Sequence, residues 1–377
     1  MSVDEIPEPD ALEGVLHPRH TSTLLGQHAA EQEFLTAYTQ DRLHHGWLIT
    51  GPRGIGKATL AWKIARFLLA QQPDDPGGLF GEETSLPETL DTPSDTPIAR
   101  KIAALSEPRL YLCRRPWDEK NARLKQDITV DEIRRLKSFF NLSASDGGHR
   151  VVIVDAADEL NTNAANALLK ILEEPPAKST LLLIAHRPMR LLPTIRSRCR
   201  TLKCASLEPD TLNAALLAAG FDVSENKAHL ASLAAGSVGE AIRLLNDEGL
   251  KIYAGLLALL STNPPMDRSA AIFMADSCTG KTNVARYDLV SRLINVLLHR
   301  LSIAGINPKA IIEAAENEIS ILKSLSPGPM AARQWAELAQ TLQERAQHAR
   351  AVNLDPATVI LDMLFKIDQV ARPIKAT

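Results

Sequence analysis

Two kinds of hydrophobic pattern divide the chain. In the first half, short continuous apolar runs alternate with amphipathic segments. Trp47-Leu48-Ile49-Thr50 lies between Gly46 and Gly51 and reads as a strand. Leu60, Ile64, Phe67 and Leu68 then form an apolar stripe at helical spacing, which predicts a helix over 57–71. The β-branched run Val151-Val152-Ile153-Val154 follows the turn signal Asp146-Gly147-Gly148 and reads as a second strand. A helix is predicted over 162–174, stopped by Pro175 and Pro176, and a third strand over 180–184. Strands that are apolar on both faces and separated by helices predict an α/β module with a parallel sheet covered on both sides.

From about residue 206 the strand signals vanish. Short helices are predicted over 211–219, 226–235 and 239–246, and longer ones over 284–304, 308–324, 330–350 and 356–371. The stretch 289–301 is apolar on more than one face, through Leu289, Val290, Leu293, Ile294, Val296, Leu297, Leu298 and Leu301. Such a helix is buried. Its pattern does not say whether its own domain or another subunit buries it. Between Pro73 and Pro97 the pattern breaks: the stretch holds five prolines, seven acidic residues and no basic ones. It reads as a flexible, solvated insertion, or as an acidic docking segment.

At 377 residues the chain is long enough for two or three domains. Aromatics make up only 4%, so the cores are built mainly from Leu, Ala, Ile and Val. A formal net charge of −3 excludes a global positive field that would hold nucleic acid by charge alone. No apolar run approaches the roughly 18 residues of a membrane span, and the acidic N-terminus has no hydrophobic stretch, so a soluble cytoplasmic protein is expected. Cys113, Cys199, Cys204 and Cys278 form no C-x-x-C pair, and reduced thiols, not a zinc site, are expected.

Against that background the segment Gly51-Pro-Arg-Gly54-Ile-Gly56-Lys57-Ala58 stands where a phosphate-binding loop would, after a strand and opening a helix. Glycines let backbone N–H groups close round phosphates, the helix N-terminus favours negative charge, and Lys57 reaches toward the β- and γ-phosphates. One position departs. The hydroxyl that binds magnesium belongs directly after the lysine, where Ala58 stands, and Thr59 comes one residue late. Asp155, at the end of the 151–154 strand, has the place of a magnesium-holding carboxylate. The acid that would polarise water is expected next, and that residue is Ala156. Asp158 and Glu159 fall on the following turn, where helix N-terminal charge explains them equally well. Arg198, in Ser197-Arg198-Cys199, is either a solvated loop arginine or a finger supplied in trans to a neighbour's γ-phosphate.

The stretches His45-Gly-Trp-Leu-Ile-Thr-Gly-Pro-Arg-Gly-Ile-Gly-Lys57, Val154-Asp-Ala-Ala-Asp-Glu-Leu-Asn161, Asn166-Ala-Leu-Leu-Lys-Ile-Leu-Glu-Glu-Pro175 and Ser197-Arg-Cys199 carry a resemblance. Through them residues 17–205 resemble the nucleotide-binding module of the bacterial DNA polymerase III clamp loader, an AAA+ ATPase family. The resemblance implies three parts: an α/β phosphate-loop module over 1–205, a small helical lid over 206–248 and an all-helical collar over 249–377. Motor subunits of the family carry Ser or Thr after the lysine, an acid after the strand aspartate and an arginine in the lid. Here Ala58, Ala156 and Gly239 stand there. These departures resemble the family's delta-prime branch, which lacks a working ATPase and keeps the arginine finger. The family's cysteine cluster for zinc is absent, and the acidic insertion takes its place.

The resemblance implies a non-motor subunit that presents Arg198 to ATP in an adjacent gamma/tau motor subunit. The further partners it implies are the delta subunit, the sliding clamp and, through the complex, primed DNA. Gly51, Gly54, Gly56, Lys57, Thr59 and Asp155 would form a degenerate nucleotide site that holds ATP and magnesium weakly or not at all. Two other readings stay open. The intact glycines and Lys57 suit an active ATPase, and the local cluster Arg196, Arg198 and Arg200 suits a direct DNA-binding module.

Overall fold

The computed structural model describes residues 7–71, 86–121, 123–142, 148–223, 225–261, 266–280, 284–352 and 354–375. The α/β half begins with helix α1 (His28–Thr39), strand β1 (Gly46–Thr50) and helix α2 (Lys57–Ala70). Helix α3 (Pro97–Ala103), strand β2 (Leu110–Arg114), a small hairpin of β3 (Trp117–Asp118) and β4 (Arg123–Leu124), and helix α4 (Val130–Leu142) follow. Then come β5 (Arg150–Asp155), α5 (Thr162–Glu173), β6 (Ser179–Ala185), the short α6 (Pro193–Arg196) and β7 (Arg200–Lys203). Five strands form one sheet in the order β2-β5-β6-β1-β7, and every neighbouring pair is parallel.

The three predicted strands are the central ones. They are buried along their whole length, which is why their sequences are continuous apolar runs. Strands β2 and β7 lie at the sheet edges and mix Arg, Tyr, Thr and Lys with apolar residues, so the hydrophobic pattern does not mark them. Helices α4 and α5 cover one face. Ile133, Leu136, Leu168 and Leu172 pack there against Val152, Val154, Leu181 and Leu183. Residues 73–85 of the predicted insertion lie outside the described residues. The remainder is not simply solvated. Leu90 is buried, Asp91 pairs with Lys63 at 2.8 Å, and Thr96 caps α3 by accepting from the Ala99 amide.

The second half is helical: α7 (Pro209–Ala218), α8 (Lys227–Ala234), α9 (Val238–Asn246), α10 (Gly249–Ser261), α11 (Arg268–Asp276), α12 (Val284–Ala304), α13 (Glu318–Leu325), α14 (Pro329–Ala351) and α15 (Pro356–Lys375). The single helix predicted over 308–324 is not formed. A 3-10 turn at Pro308–Ala310 is followed by irregular chain, and α13 starts only after Asn317, whose φ is 61°. There the carboxylate of Glu318 turns back to accept the Ala314 amide hydrogen, and Arg300 and Tyr253 from other helices hold that carboxylate in place. The many-faced apolar helix is α12, and α10, α13, α14 and α15 cover it within the chain.

The chain separates into two compact units, Met1–Phe221 with Ser237–Gly239, and Asp222–Gly236 with Glu240–Thr377. Helix α7 therefore falls with the sheet, and α8 falls with the helices beyond 249. Among the described residues no helix is long and apolar enough to cross a membrane.

Candidate functional site

Parallel strands joined by helices place their carboxyl ends along one edge of the sheet, the usual ligand edge of such folds. The phosphate-loop sequence leaves β1 at that edge, and Asp155 ends β5 there. Gly51, Gly54 and Gly56 adopt φ of 142°, 79° and 99°, a region that side chains with a Cβ disfavour. Space excludes a side chain as well. A Cβ on Gly51 would lie 2.6 Å from the carbonyl oxygen of Cys204. The glycine loop of the sequence is thus a folded loop.

Lys57 opens α2 and is 3% exposed. Its Nζ donates to the carbonyl oxygens of Gly51 at 2.8 Å and Pro52 at 2.5 Å, so the ammonium is bound by the loop it belongs to. Burial pulls its pKa down to about 8, against the opposing pull of Cys204, Asp155 and Asp158. Asp155 is 8% exposed. Burial, helped by the nearby acids Asp10 and Glu159, pushes its pKa up to about 7, and Lys57 and Arg53 offset only part of this. Without a cation beside it, the buried carboxylate is held toward its protonated form. Thr59 is one residue beyond Ala58 on α2, turned about 100° round the helix axis, and is not where the missing hydroxyl would be.

The acids after Asp155 have other occupations. Asp158 lies in a 3-10 turn, and its two oxygens accept the amide hydrogens of His186 at 2.9 Å and Arg187 at 3.1 Å. Glu159 pairs with Arg115 at 2.7 Å. The charges read from the sequence as helix-end acids thus tie the loop after β6 and the end of β2 to the β5 turn.

Two features of this edge were missed in the sequence. The segment Ser237–Gly239 packs directly on the glycine loop. Ser237 Oγ donates to the Arg53 carbonyl at 2.8 Å, and the Gly239 amide donates to the Gly54 carbonyl at 2.9 Å. A Cβ on Gly239 would lie 2.9 Å from the Gly54 Cα, so an arginine cannot stand there without moving the loop backbone. The second feature is an ion network. Asp10 accepts from His17 Nε2 at 2.8 Å and from Arg114 at 2.9 Å, and Glu8 binds Arg114 at 2.8 Å and Arg19 at 2.6 Å. The acidity of the N-terminus was its only sequence signal.

Arg198 lies elsewhere. It precedes β7, whose Arg200 pairs in register with Trp47 near the start of β1. The backbone oxygen of Arg198 is 3.3 Å from where a Cβ on Gly46 would sit. Arg198 is therefore at the amino-end edge of the sheet, and Gly51 is at the other. The five residues of β1 between them span on the order of 15 Å. Arg198 Nη2 pairs with Glu173 at 2.9 Å and Nη1 donates to the Thr194 carbonyl at 3.1 Å. Its neighbours have separate partners. Arg196 donates to Met189 Sδ, and Arg200 pairs with Glu33 and lies over the Trp47 ring, 5.1 Å from its centroid. The three arginines do not form one free basic face. Cys199 and Cys113 are pushed up to about 12 by burial, so neither thiol is poised to ionise.

A sequence family described as DNA polymerase III, delta subunit, matches residues 26–208. The chain is similar to DNA polymerase III subunit delta' of Pseudomonas aeruginosa, 39% identical over 160 residues that cover 42% of this chain and 43% of that protein. It is also similar to subunit delta' of Escherichia coli strain K12, 27% identical over 348 residues, covering 91% and 94%. Subunit gamma of Buchnera aphidicola is 29% identical over 233 residues, covering 60% and 58%. The match thus spans less than half the length of the Pseudomonas protein and nearly all of the Escherichia coli protein.

Proposed function

We propose, on the chain's similarity to DNA polymerase III delta' subunits, that it serves DNA replication as a non-motor subunit of the loader that places a sliding clamp on primed DNA. In this reading the chain hydrolyses no ATP. Residues 1–205 present Arg198 to ATP held by an adjacent gamma/tau subunit, 206–248 act as a lid, and 249–377 form the collar that joins the ring. The delta subunit, the clamp and primed DNA are met within that assembly.

The observation that carries the reading is the position of Arg198. It stands at the edge of the sheet opposite its own phosphate loop, so a phosphate held in that loop is out of its reach, which suits action on a phosphate of another chain. A guanidinium there would give donors to the equatorial oxygens of a γ-phosphoryl group and stabilise the charge that develops on them. The chain's own cradle gives a consistent picture. Ala58 and Ala156 replace a metal ligand and an acid, and Gly239 leaves no room for a lid arginine.

The test is Arg198→Ala in the complex reconstituted with motor and delta subunits. The isolated chain keeps its melting temperature and assembles normally, while ATP hydrolysis stimulated by clamp and DNA falls about tenfold or more at the site it serves. Arg198→Lys restores little, since a point charge lacks the planar fork. A complex that runs at the wild-type rate with Arg198→Ala rules the finger out. The retained glycines and Lys57 favour one second reading, an active ATPase. Turnover by the isolated chain, abolished by Lys57→Ala, would establish it.

A further inference from the structure

The block Asn166–Pro175 carried much of the family resemblance, yet nothing in the phosphate-loop edge uses it. In the structure it is the second half of α5 and the turn after it. Leu168, Ile171 and Leu172 are buried in the core beneath the sheet. Glu173 is different: it is the last residue of the helix, and its side chain is 47% exposed. A carboxylate is electrostatically misplaced at that end, because the helix dipole puts partial negative charge there. The cation that compensates it is Arg198, with Nη2 2.9 Å from Glu173 Oε1.

From this geometry we propose that Glu173 is the positioning residue for Arg198, a role that rests on Arg198 acting in trans. Two protein oxygens lie against the guanidinium: Glu173 as an ion pair at Nη2, and the Thr194 carbonyl as acceptor of a hydrogen bond from Nη1. A guanidinium carries five N–H donors, so most remain for a phosphoryl group. A free arginine side chain must give up its rotamer freedom on engaging a phosphate, and one already held at the surface has less to lose. The pair is exposed on both sides, 37% and 47%, and such pairs contribute little to folding. What the pair can supply is therefore a preferred direction for the guanidinium and not stability of the fold. The weakness of the pair also lets phosphoryl oxygens take over the Nη2 donor without a large barrier.

The experiment uses the full chain in the reconstituted complex. Glu173→Ala lowers the stimulated kcat about two- to fivefold and leaves KM for ATP within about twofold. Glu173→Gln, whose amide oxygen still accepts a hydrogen bond, loses less. In an Arg198→Ala background Glu173→Ala produces no further loss, because its effect passes through the arginine. The melting temperature of the isolated chain stays unchanged. Should Glu173→Ala lower it, Glu173→Gln in the two backgrounds carries the same comparison. A wild-type kcat for Glu173→Ala with a slow Arg198→Ala overturns the positioning role alone, as do losses that simply multiply in the double variant. A wild-type rate for Arg198→Ala overturns both this role and the finger on which it rests.

Discussion

At the phosphate loop the fold moves both Lys57 and Asp155 far from their ordinary pKa values. The folded-state pKa of Asp155 is raised from 3.8 to about 7. Between those values the folded chain keeps a proton that the unfolded chain has released, so stability falls as pH rises from about 4 to 7. For Lys57 the folded value is lowered from 10.5 to about 8, the folded chain binds fewer protons in between, and stability rises with pH over that range. Asp155→Asn keeps the shape and removes the first effect. It melts with the wild type near pH 4 and above it beyond pH 7, by about 2–4 °C per kcal/mol of relieved burial cost. Thermal melts across pH check this, and an Asp155→Asn variant less stable than wild type at pH 8 would show that the ionised carboxylate is wanted there.

At the scale of elements, a buried ion network fixes how the helices of the second unit meet. Glu318 on α13 is 0% exposed and takes Arg300 on α12 at 2.6 and 2.8 Å, Tyr253 on α10 at 2.5 Å and the Ala314 amide at 2.5 Å. Arg300 goes on to Ser232 of α8 at 3.2 Å and to the Ile312 carbonyl at 2.6 Å. Removing one partner of such a pair strands the other charge in the interior. Glu318→Ala is expected to cost about 3–5 kcal/mol, and Arg300→Met with Glu318→Leu distinctly less. Urea unfolding of the two variants decides it; equal losses would mean that the charges themselves, and not their mutual compensation, hold the helices.

The whole molecule divides into two compact units, and each has a core of its own. Multi-domain chains commonly depart from two-state unfolding. Two calorimetric transitions are expected. Asp155→Asn, at pH 8, raises only the one belonging to the sheet, and Glu318→Ala lowers only the one belonging to the helices. A single transition moved by both substitutions would show one cooperative unit.

Sequence by itself determined the central strands, because a strand buried on both faces must be apolar at every position. It also determined the phosphate-loop turn, whose positive-φ positions favour glycine, and the three departures at Ala58, Ala156 and Gly239. These are local properties, written in a few adjacent residues. Edge strands β2 and β7 were hidden, since one open edge relaxes the demand for apolar side chains. The break before α13 was hidden too, because the carboxylate that turns back there answers to Arg300 and Tyr253 far away in sequence. Only the tertiary structure decided that Arg198 and the phosphate loop lie at opposite edges of one sheet. It alone decided that Glu173 meets Arg198, and that the Ser237–Gly239 backbone rests on Gly54. The physical reason is the same in each case: these contacts join segments distant in the chain, and a parallel sheet sets their spacing through its register, which no single segment carries.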